Sequence, residues 1–296
     1  MFLIVETVFF SIKSPYFLAW DNWLNILTAV AVIGIIAAPG TMLMTAGQFD
    51  LSVGSITAFT SVVMANLALS HSIGFSLVLA VIAGIAVGVI NGFLVTVVGV
   101  NALITTLGTL AAFRGLAEVT AKGQTVGVEG FESLGTARPF WNIPVPVLVL
   151  VGVLAAFWVL MRFTVYGRAM YAIGSNPTAA RLVGIRSGRY IFIGFVLSAA
   201  ACAMGGLIFT SQLSVGSPVF GTGMELSVIT AIVLGGASLS GGRGSIVGTA
   251  VGLLIIGILN NGLTLTGVDP FWQNVARGAL LIGAVSFDRL RARLGD

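Results

Sequence analysis

The sequence has little charge, one cysteine and one histidine. Only 8% of its 296 residues are charged, against about 25% in a soluble domain, so hydrated side chains cannot cover a globule of this size. The lone Cys202 excludes an intrachain disulfide, and with the lone His71 it leaves no His–Cys set for a metal. The excess of +4 follows the ends of apolar runs rather than a soluble face. We therefore expect lipid as the surroundings, with no nucleic acid and no metal bound.

Long apolar runs fill most of the chain. Of all residues 57% are hydrophobic, and several runs reach the ~20 residues that cross a bilayer. Runs bounded by polar, Gly or Pro residues predict nine spans, at 22–46, 53–70, 73–98, 101–120, 145–163, 190–213, 224–240, 244–265 and 271–287. The apolar stretch 1–12 is too short to span, and we interpret it as the end of a truncated first span or as an interfacial segment. The prediction is an all-α polytopic membrane protein with about ten transmembrane helices, forming one domain over 1–296.

Arginine placement predicts the orientation of the spans. Two regions between or after spans are rich in arginine: 162–189 with Arg162, Arg168, Arg181, Arg186 and Arg189, and the tail with Arg289, Arg291 and Arg293. Basic loops stay in the cytoplasm, and four predicted spans separate the two regions, so both can be cytoplasmic at once. We therefore predict a multi-pass chain with a cytoplasmic C-terminus and with loop 121–144 outside.

Two stretches of the chain echo each other. D-L-S-V at 50–53, G-V-I-N-G at 88–92 and G-V-N at 99–101 match E-L-S-V at 225–228, G-I-L-N-N-G at 257–262 and G-V-D at 267–269. An odd number of predicted spans separates the copies, which indicates an inverted-topology repeat with a substrate path between its halves. The alternative is that Gly- and Val-rich membrane sequence matches itself by chance.

Polar residues inside the apolar pattern are candidates for a translocation pathway. Asp50 interrupts the pattern in T-A-G-Q-F-D-L-S-V-G-S (45–55), and a charge inside a membrane usually faces a cavity or a partner. The alternative local role is capping of a helix that starts at Leu51. Asparagine amides suit hydroxyl-rich ligands but more often bond neighbouring helices. The candidate pathway residues are Gln48, Phe49, Asp50, Ser52, Asn91, Asn101, Glu225 and Asn260.

Two arginines lie within predicted spans. Arg114 and Glu118 are four residues apart, and we expect them to pair on one helix face. Arg277 has no acidic residue at helical spacing, so we expect it to snorkel outward or to meet Glu225 or Asp269.

The sequence offers no catalytic constellation. The Gly-rich stretch 235–245 lacks the Lys-Ser/Thr pair of a phosphate-binding loop, so we expect no ATP hydrolysis by this chain. A membrane enzyme acting on lipids would need clustered polar catalytic groups, and we find no Ser/His/Asp set or metal cluster. We predict no catalytic residues.

The basic loop 166–190 contains a short helix with signals at both ends. Ser175 or Asn176 can cap it, Pro177 suits its first turn, and Gly184 would end a helix over 178–183. A short capped helix between two membrane spans has no lipid to bury in, so we expect it to dock on a partner at the membrane surface. The alternative is a free amphipathic loop.

The motifs together resemble one family. A-I-G-S-N-P-T-A-A-R-L-V-G-I (172–185) resembles the cytoplasmic coupling segment of permeases in the ribose/xylose/arabinose group of bacterial ABC importers. The 45–55 stretch is similar to that family's G-G-x-D-L-S-V-G-S, and the resemblance extends to G-V-I-N-G, to 107–117 and to 233–245. One departure is Gln48-Phe49, which replaces the more usual Gly-Ile before Asp50.

The resemblance implies a pore subunit in the bacterial inner membrane with several partners. It implies a separate ABC ATPase subunit that binds the ATP, a periplasmic sugar-binding protein, a second copy of this permease or a similar one, and a monosaccharide substrate. The chain itself would hold no cofactor. The residues implied in ATPase coupling are Gly174, Ser175, Asn176, Pro177, Ala179, Ala180, Arg181, Gly184 and Ile185.

A second transporter class shares some of these features. An ion- or proton-coupled secondary transporter also uses inverted repeats and intramembrane carboxylates. In that alternative Asp50 and Glu225 would be the coupling groups.

Overall fold

A computed structural model describes residues 2–294, and their regular secondary structure is almost entirely helical. The helices are α1 (Phe2–Lys13), α2 (Trp20–Thr45), α3 (Val53–Ala68), α4 (Ile73–Phe93), α5 (Ala102–Thr120), α6 (Ser133–Thr136), α7 (Val145–Phe163), α8 (Val165–Ser175), α9 (Pro177–Leu182), α10 (Ser187–Leu213), α11 (Met224–Leu234), α12 (Ile246–Leu265) and α13 (Pro270–Leu294). A π-helical turn, Leu94–Val98, continues α4. Two short strands, β1 (Val126–Gly127) and β2 (Val215–Gly216), pair antiparallel with Val126 opposite Gly216.

Six of the described helices are long and apolar enough to cross a membrane. They are α2, α4 with its π-helical turn, α5, α7, α10 and α12, whereas α3 and α11 are shorter apolar helices. The prediction of an all-α membrane protein is confirmed. The count of ten spans and the inverted repeat stay predictions. The side chains of Arg289, Arg291 and Arg293 lie outside what the structure describes.

Local signals set most helix ends close to the predicted ones. The Asn101 side chain caps α5 by accepting from the backbone N–H of Leu103 at 2.9 Å. The predicted span 224–240 is wrong at its C-terminal end, because α11 stops at Leu234. Gly236 follows with a φ of +87°, a left-handed conformation that turns the chain out of the helix.

The core forms where α2, α3, α4 and α10 pack together. Ile35 and Ile36 of α2 and Cys202 of α10 are fully buried in it. The helices approach closely because small residues face each other: a Cβ placed on Gly88 of α4 would lie only 2.7 Å from the carbonyl oxygen of Phe195 on α10. Van der Waals contact between backbones therefore replaces the hydrophobic effect as the cohesive force in this region.

Polar side chains link α2 to α12. The amides of Asn22 and Asn261 bond each other reciprocally at 3.0 and 2.9 Å. Further along the same pair of helices, the hydroxyls of Thr41 and Thr249 lie 2.7 Å apart. In lipid an unsatisfied polar group is costly, so each pair fixes the register of these two helices.

The outer surface carries large apolar side chains. Ile82 of α4, Ile104 of α5 and Val159 of α7 are all exposed. Such a surface would be an aggregation hazard in water, but it suits contact with lipid chains. The structure thus supports membrane insertion independently of composition.

Candidate functional site

The turn between α2 and α3 carries a polar network around Asp50. Its Oδ1 accepts hydrogen bonds from the backbone N–H of Ser52 at 3.0 Å and from the Ser52 hydroxyl at 2.5 Å. Its Oδ2 accepts from the Ser198 hydroxyl of α10 at 2.8 Å. The Asn91 amide of α4 donates to the Ser52 hydroxyl at 2.9 Å. We call these four residues the Asp50 network, and it joins the turn to α4 and α10.

The alternative that Asp50 caps a helix starting at Leu51 is wrong about where the helix starts. The helix α3 begins at Val53, not at Leu51, and the Asp50 carboxylate also reaches another helix. The Asn91 side chain is fully buried, and its Oδ1 has no hydrogen-bond partner among the described residues. The network therefore contains one buried acceptor, Oδ1 of Asn91, that is not paired with another described residue.

The five remaining predicted pathway residues lie in three further places. Gln48, Phe49 and Asn101 line one cleft of about 850 Å³. Glu225 lies in the first turn of α11, with its Oε2 facing α3. Asn260 of α12 accepts a hydrogen bond from another helix and belongs to neither group. The structure thus brings together Asp50, Ser52 and Asn91, but it does not gather all eight candidates into one cavity.

Both arginines within spans have partners different from the predicted ones. The Arg114 guanidinium donates to the backbone carbonyls of Pro218 at 2.5 Å and Phe220 at 2.7 Å, which lie before α11. Arg277 donates from Nε to Oδ1 of Asn260 at 3.0 Å, an amide rather than a carboxylate. Each arginine therefore ties two separate parts of the chain together.

The short helix in the basic loop is confirmed. Asn176 caps α9 by accepting from the backbone N–H of Ala179 at 3.0 Å, and Pro177 is its first residue. Gly184 follows with a φ of +85°, and the N–H of Ile185 returns to the carbonyl of Ala180 at 3.0 Å. This left-handed ending satisfies carbonyls that the last turn leaves open.

The residues that are exposed on α9 and at its C-terminal end differ from those that the motif alone indicates. Ala180 is only 3% exposed and packs with Met170 and Ile173 of α8, so it supports the helix from beneath. Leu182 and Val183 are instead 84% and 77% exposed. These two residues are not among the predicted coupling residues, although their apolar character next to a glycine stop could have identified them.

A helix that the sequence analysis missed, α8, holds α9 in place. Its Tyr166 hydroxyl donates to the carbonyl of Tyr190 on α10, and its Tyr171 hydroxyl donates to the carbonyl of Gly244, both at 2.7 Å. Burial raises the pKa of both Tyr166 and Tyr171 above the ordinary tyrosine value. Both hydroxyls therefore remain protonated donors at physiological pH.

The 850 Å³ cleft connects the turn between α2 and α3, which we call the Asp50 turn, with the end of α9. Its lining includes Gln48 and Phe49 from the turn before Asp50 and Arg181, Arg186 and Arg189 from the basic loop. The loop before α5 forms another wall, so these segments lie on the same side of the helices. Gln48 and Phe49, two of the predicted pathway residues, thus lie close to the helix α9 that we expect to dock on a partner. Among the side chains that the structure describes, no group of three or more His, Cys, Asp or Glu residues could hold a metal ion.

Comparison with known proteins identifies relatives over nearly the whole chain. The profile of the family described as branched-chain amino acid transport system / permease component matches residues 22–285. The ribose import permease protein of Bacillus subtilis (strain 168) is 42% identical over 298 residues, covering 98% of this chain and 91% of that protein. The L-arabinose transport system permease protein of Escherichia coli (strain K12) is 39% identical over 303 residues, with coverage of 98% and 90%.

A third relative and one negative result complete the comparison. The L-arabinose ABC transporter permease protein of Azospirillum brasilense is 37% identical over 290 residues, covering 95% of this chain and 84% of that protein. No solved structure matches the chain significantly. These relatives favour the ABC importer over the ion-coupled secondary transporter. The chain therefore belongs to the family of bacterial ABC-importer permeases, in the group that includes the ribose and arabinose permeases.

Proposed function

We propose that this chain forms the translocation pathway for a monosaccharide, with a pentose as the first candidate, and that α9 couples it to a separate ATPase subunit. The family description names branched-chain amino acids, whereas the relatives at 42% and 39% identity over almost their full length are ribose and arabinose permeases. The sequence identity to these permeases extends over almost the whole chain, so it includes the helices that would line a pathway. We therefore favour the sugar.

The proposed partners follow from what an ABC importer requires. An ATPase subunit would bind and hydrolyse ATP, since the Gly-rich stretch 235–245 of this chain lacks a phosphate-binding loop. A periplasmic sugar-binding protein would deliver the sugar, and a second copy of this chain or a similar permease would complete the pore. The whole chain would act as one permease domain in the inner membrane. The arginines of 162–189 support a cytoplasmic position for α9 and for the C-terminus.

The observation that carries the coupling role is the exposed apolar pair at the end of α9. Leu182 and Val183 protrude from a short helix that is capped at both ends and lies outside the apolar spans. The helix is fixed from below by buried Ala180, so the pair is presented in a defined orientation. Apolar side chains held rigidly at a membrane surface are typical of a site that a partner covers. Of the other implied coupling residues, Gly174, Ser175, Asn176, Pro177, Ala179, Arg181, Gly184 and Ile185, we propose that the exposed ones surround this contact and that the rest shape the segment.

The proposed pathway lies beside α3 and α11. A Cβ on Gly54 of α3 would overlap the carbonyl oxygen of Gly221 and lie 3.1 Å from Oε2 of Glu225, so the beginnings of the two short helices meet. Short helices with converging ends are the arrangement that an inverted repeat would produce near the membrane midplane. We propose that Asp50, Ser52, Asn91 and Glu225 line or shape the path there, with Asn260 behind α11. Gln48, Phe49 and Asn101 would stand at its cytoplasmic mouth.

The docking proposal is tested by placing charge on the apolar pair. The double variant Leu182→Asp, Val183→Asp should reduce ATP-driven uptake of radiolabelled ribose and arabinose by roughly tenfold or more, because desolvating a carboxylate against an apolar partner surface costs several kcal/mol. Copurification of the ATPase subunit from the same membranes should fall in parallel. The variant is expected to insert normally, since both side chains already face solvent.

A matched control uses an exposed apolar residue on the other side of the helices. Leu69 is 68% exposed after α3, and three predicted spans separate it from α9. Leu69→Asp should leave copurification and uptake unchanged. Uptake that persists without the ATPase and collapses with the ion gradient would instead establish a secondary transporter. Uptake of leucine but not of either pentose would contradict the proposed sugar substrate without contradicting the coupling to an ATPase.

A further inference from the structure

Three separate segments meet at the C-terminal end of α2. The backbone N–H of Gly242, in the loop 235–245, donates to the carbonyl of Thr45 at 2.8 Å. Gly174, near the end of α8, lies against the same carbonyl and against Gly242. The Tyr171 hydroxyl of α8 also donates to the carbonyl of Gly244 at 2.7 Å. We call the contact among Thr45, Gly174 and Gly242 the glycine junction.

The glycine junction has no room for a side chain. A Cβ on Gly174 would overlap the Thr45 carbonyl oxygen and lie 2.6 Å from the nitrogen of Gly242. Both close neighbours are backbone atoms, which cannot swing away as a flexible side chain can. Gly242 also has a φ of +75°, which favours glycine. Close-packed backbone has low compressibility and transmits displacement.

The glycine junction lies between α9 and the Asp50 turn. Gly174 precedes the α9 cap, Asn176, by two residues, and the turn that reaches Asp50 begins directly after Thr45. On the other side of the junction, a Cβ on Gly241 would lie 3.0 Å from the nitrogen of Gly47. Direct backbone contacts therefore connect the end of α8 with the first residues of the Asp50 turn.

We infer that the glycine junction transmits movement of α9 to the Asp50 turn, which makes Gly174 a positioning residue of the transport cycle. This inference rests on the proposed function, because it requires α9 to be displaced by an ATPase. A competing route exists along the chain, since α9 leads directly into α10, which bears Ser198 of the Asp50 network. The two routes predict different effects for the contacts of α8.

The test measures coupling in the assembled importer in proteoliposomes. ATP hydrolysis is recorded with and without the periplasmic sugar-binding protein, together with the sugar taken up per ATP hydrolysed. Gly174→Ala should lose the stimulation of hydrolysis by the binding protein, and uptake should fall roughly tenfold or more, because overpacking must push the three segments apart. Gly152→Ala, at a helix position with nothing within 4 Å, should behave like the wild type.

A milder variant keeps the inference falsifiable if Gly174→Ala does not assemble. Tyr171→Phe removes only the hydroxyl that holds α8 to the loop 235–245, and it should lower the sugar taken up per ATP about fivefold, as for loss of one hydrogen bond. Tyr166→Phe is the matched control, because it removes an equal bond from the same helix to α10 instead. Its uptake per ATP should match the wild type.

The outcomes separate this inference from the proposed function. A wild-type complex whose hydrolysis does not respond to the binding protein overturns the proposed function and the inference with it. A responsive wild type in which Tyr171→Phe has full coupling overturns the glycine junction alone. Uncoupling by Tyr166→Phe but not by Tyr171→Phe assigns transmission to the α10 route.

Discussion

Nearly the same four residues lie at the beginnings of the two short helices, α3 and α11, but they are held very differently. Before α3, in Asp-Leu-Ser-Val, the Asp50 carboxylate accepts three hydrogen bonds, one of them from Ser198 on another helix. At the start of α11, in Glu-Leu-Ser-Val, Glu225 is half-buried and makes no comparable set of bonds within residues 2–294. The two acidic side chains differ by one methylene group. Asp50 belongs to a closed hydrogen-bond network, whereas Glu225 does not.

The surroundings of α11 are correspondingly looser. A cleft of about 360 Å³ lies between α11 and α13, lined by Ser227 and Thr230 of α11 and by Asn274 and Arg277 of α13. The 850 Å³ cleft on the other side is lined by the turn before α3 and not by α3 itself. By contrast, Ser52 and Ser55 at the start of α3 are fully buried. We therefore expect contacts on the α3 side to contribute more to the free energy of unfolding than the corresponding contacts on the α11 side. The following experiments test this difference.

Removal of the Asp50 carboxylate should have the largest effect. Asp50→Ala leaves the hydroxyls of Ser52 and Ser198 without their charged acceptor, and we expect a loss of about 3 kcal/mol in the free energy of unfolding. Glu225→Ala is the matched variant in the other helix and should cost less than about 1 kcal/mol. The measurement is SDS titration in mixed micelles, followed by tryptophan fluorescence. Equal losses in the two variants would refute the proposed difference between the helices.

A methyl group between the two helices should have an intermediate effect. Gly54→Ala would overlap the carbonyl oxygen of Gly221, and overpacking of this kind costs about 2 kcal/mol. Gly108→Ala adds the same methyl group to α5 at a position with nothing within 4 Å. That control should be neutral or slightly stabilising, because alanine favours a helix. If contacts on the α11 side contribute less, as we expect, the Gly54 variant should also perturb solvent access around Glu225 more than around Asp50.

Loss of the Asn260 amide should have the smallest effect. Asn260→Ala removes one hydrogen bond to Arg277 on the looser side, and such bonds in membranes contribute about 0.6 kcal/mol on average. Asn91→Ala is its counterpart in the first copy of the predicted repeat and should cost about 1 kcal/mol, because Asn91 bonds within a closed network. The same titration measures both. A larger loss at Asn260 than at Asn91 would reverse the order that we expect.

Features with local causes could be predicted from the sequence. The apolar runs fix where the long helices lie, and α9 follows from its own cap, proline and glycine stop. The helix α8 was missed because it is short and amphipathic and contains Gly167, so it produces no apolar run. The premature end of α11 at Leu234 was missed because the glycines after it are followed by further apolar residues.

Features with distant causes could not be predicted. Asp50 meets Ser198 across 148 positions of the chain, and Arg114 meets the carbonyl of Pro218 across 104. Helical spacing indicated Glu118 as the partner of Arg114, but backbone carbonyls left open by the turn before α11 compete for the same guanidinium. Burial of Ala180 likewise depends on α8, which its own motif does not reveal.

The single thiol of this chain has a practical consequence. Cys202 is fully buried in the core, so a water-soluble maleimide will not react with the folded protein there. A cysteine introduced at Leu182 or at Leu69, both exposed, would then be the one thiol open to labelling. Probes can therefore be attached at either position without first replacing Cys202. Reaction of the dye with Cys202 itself would report unfolding.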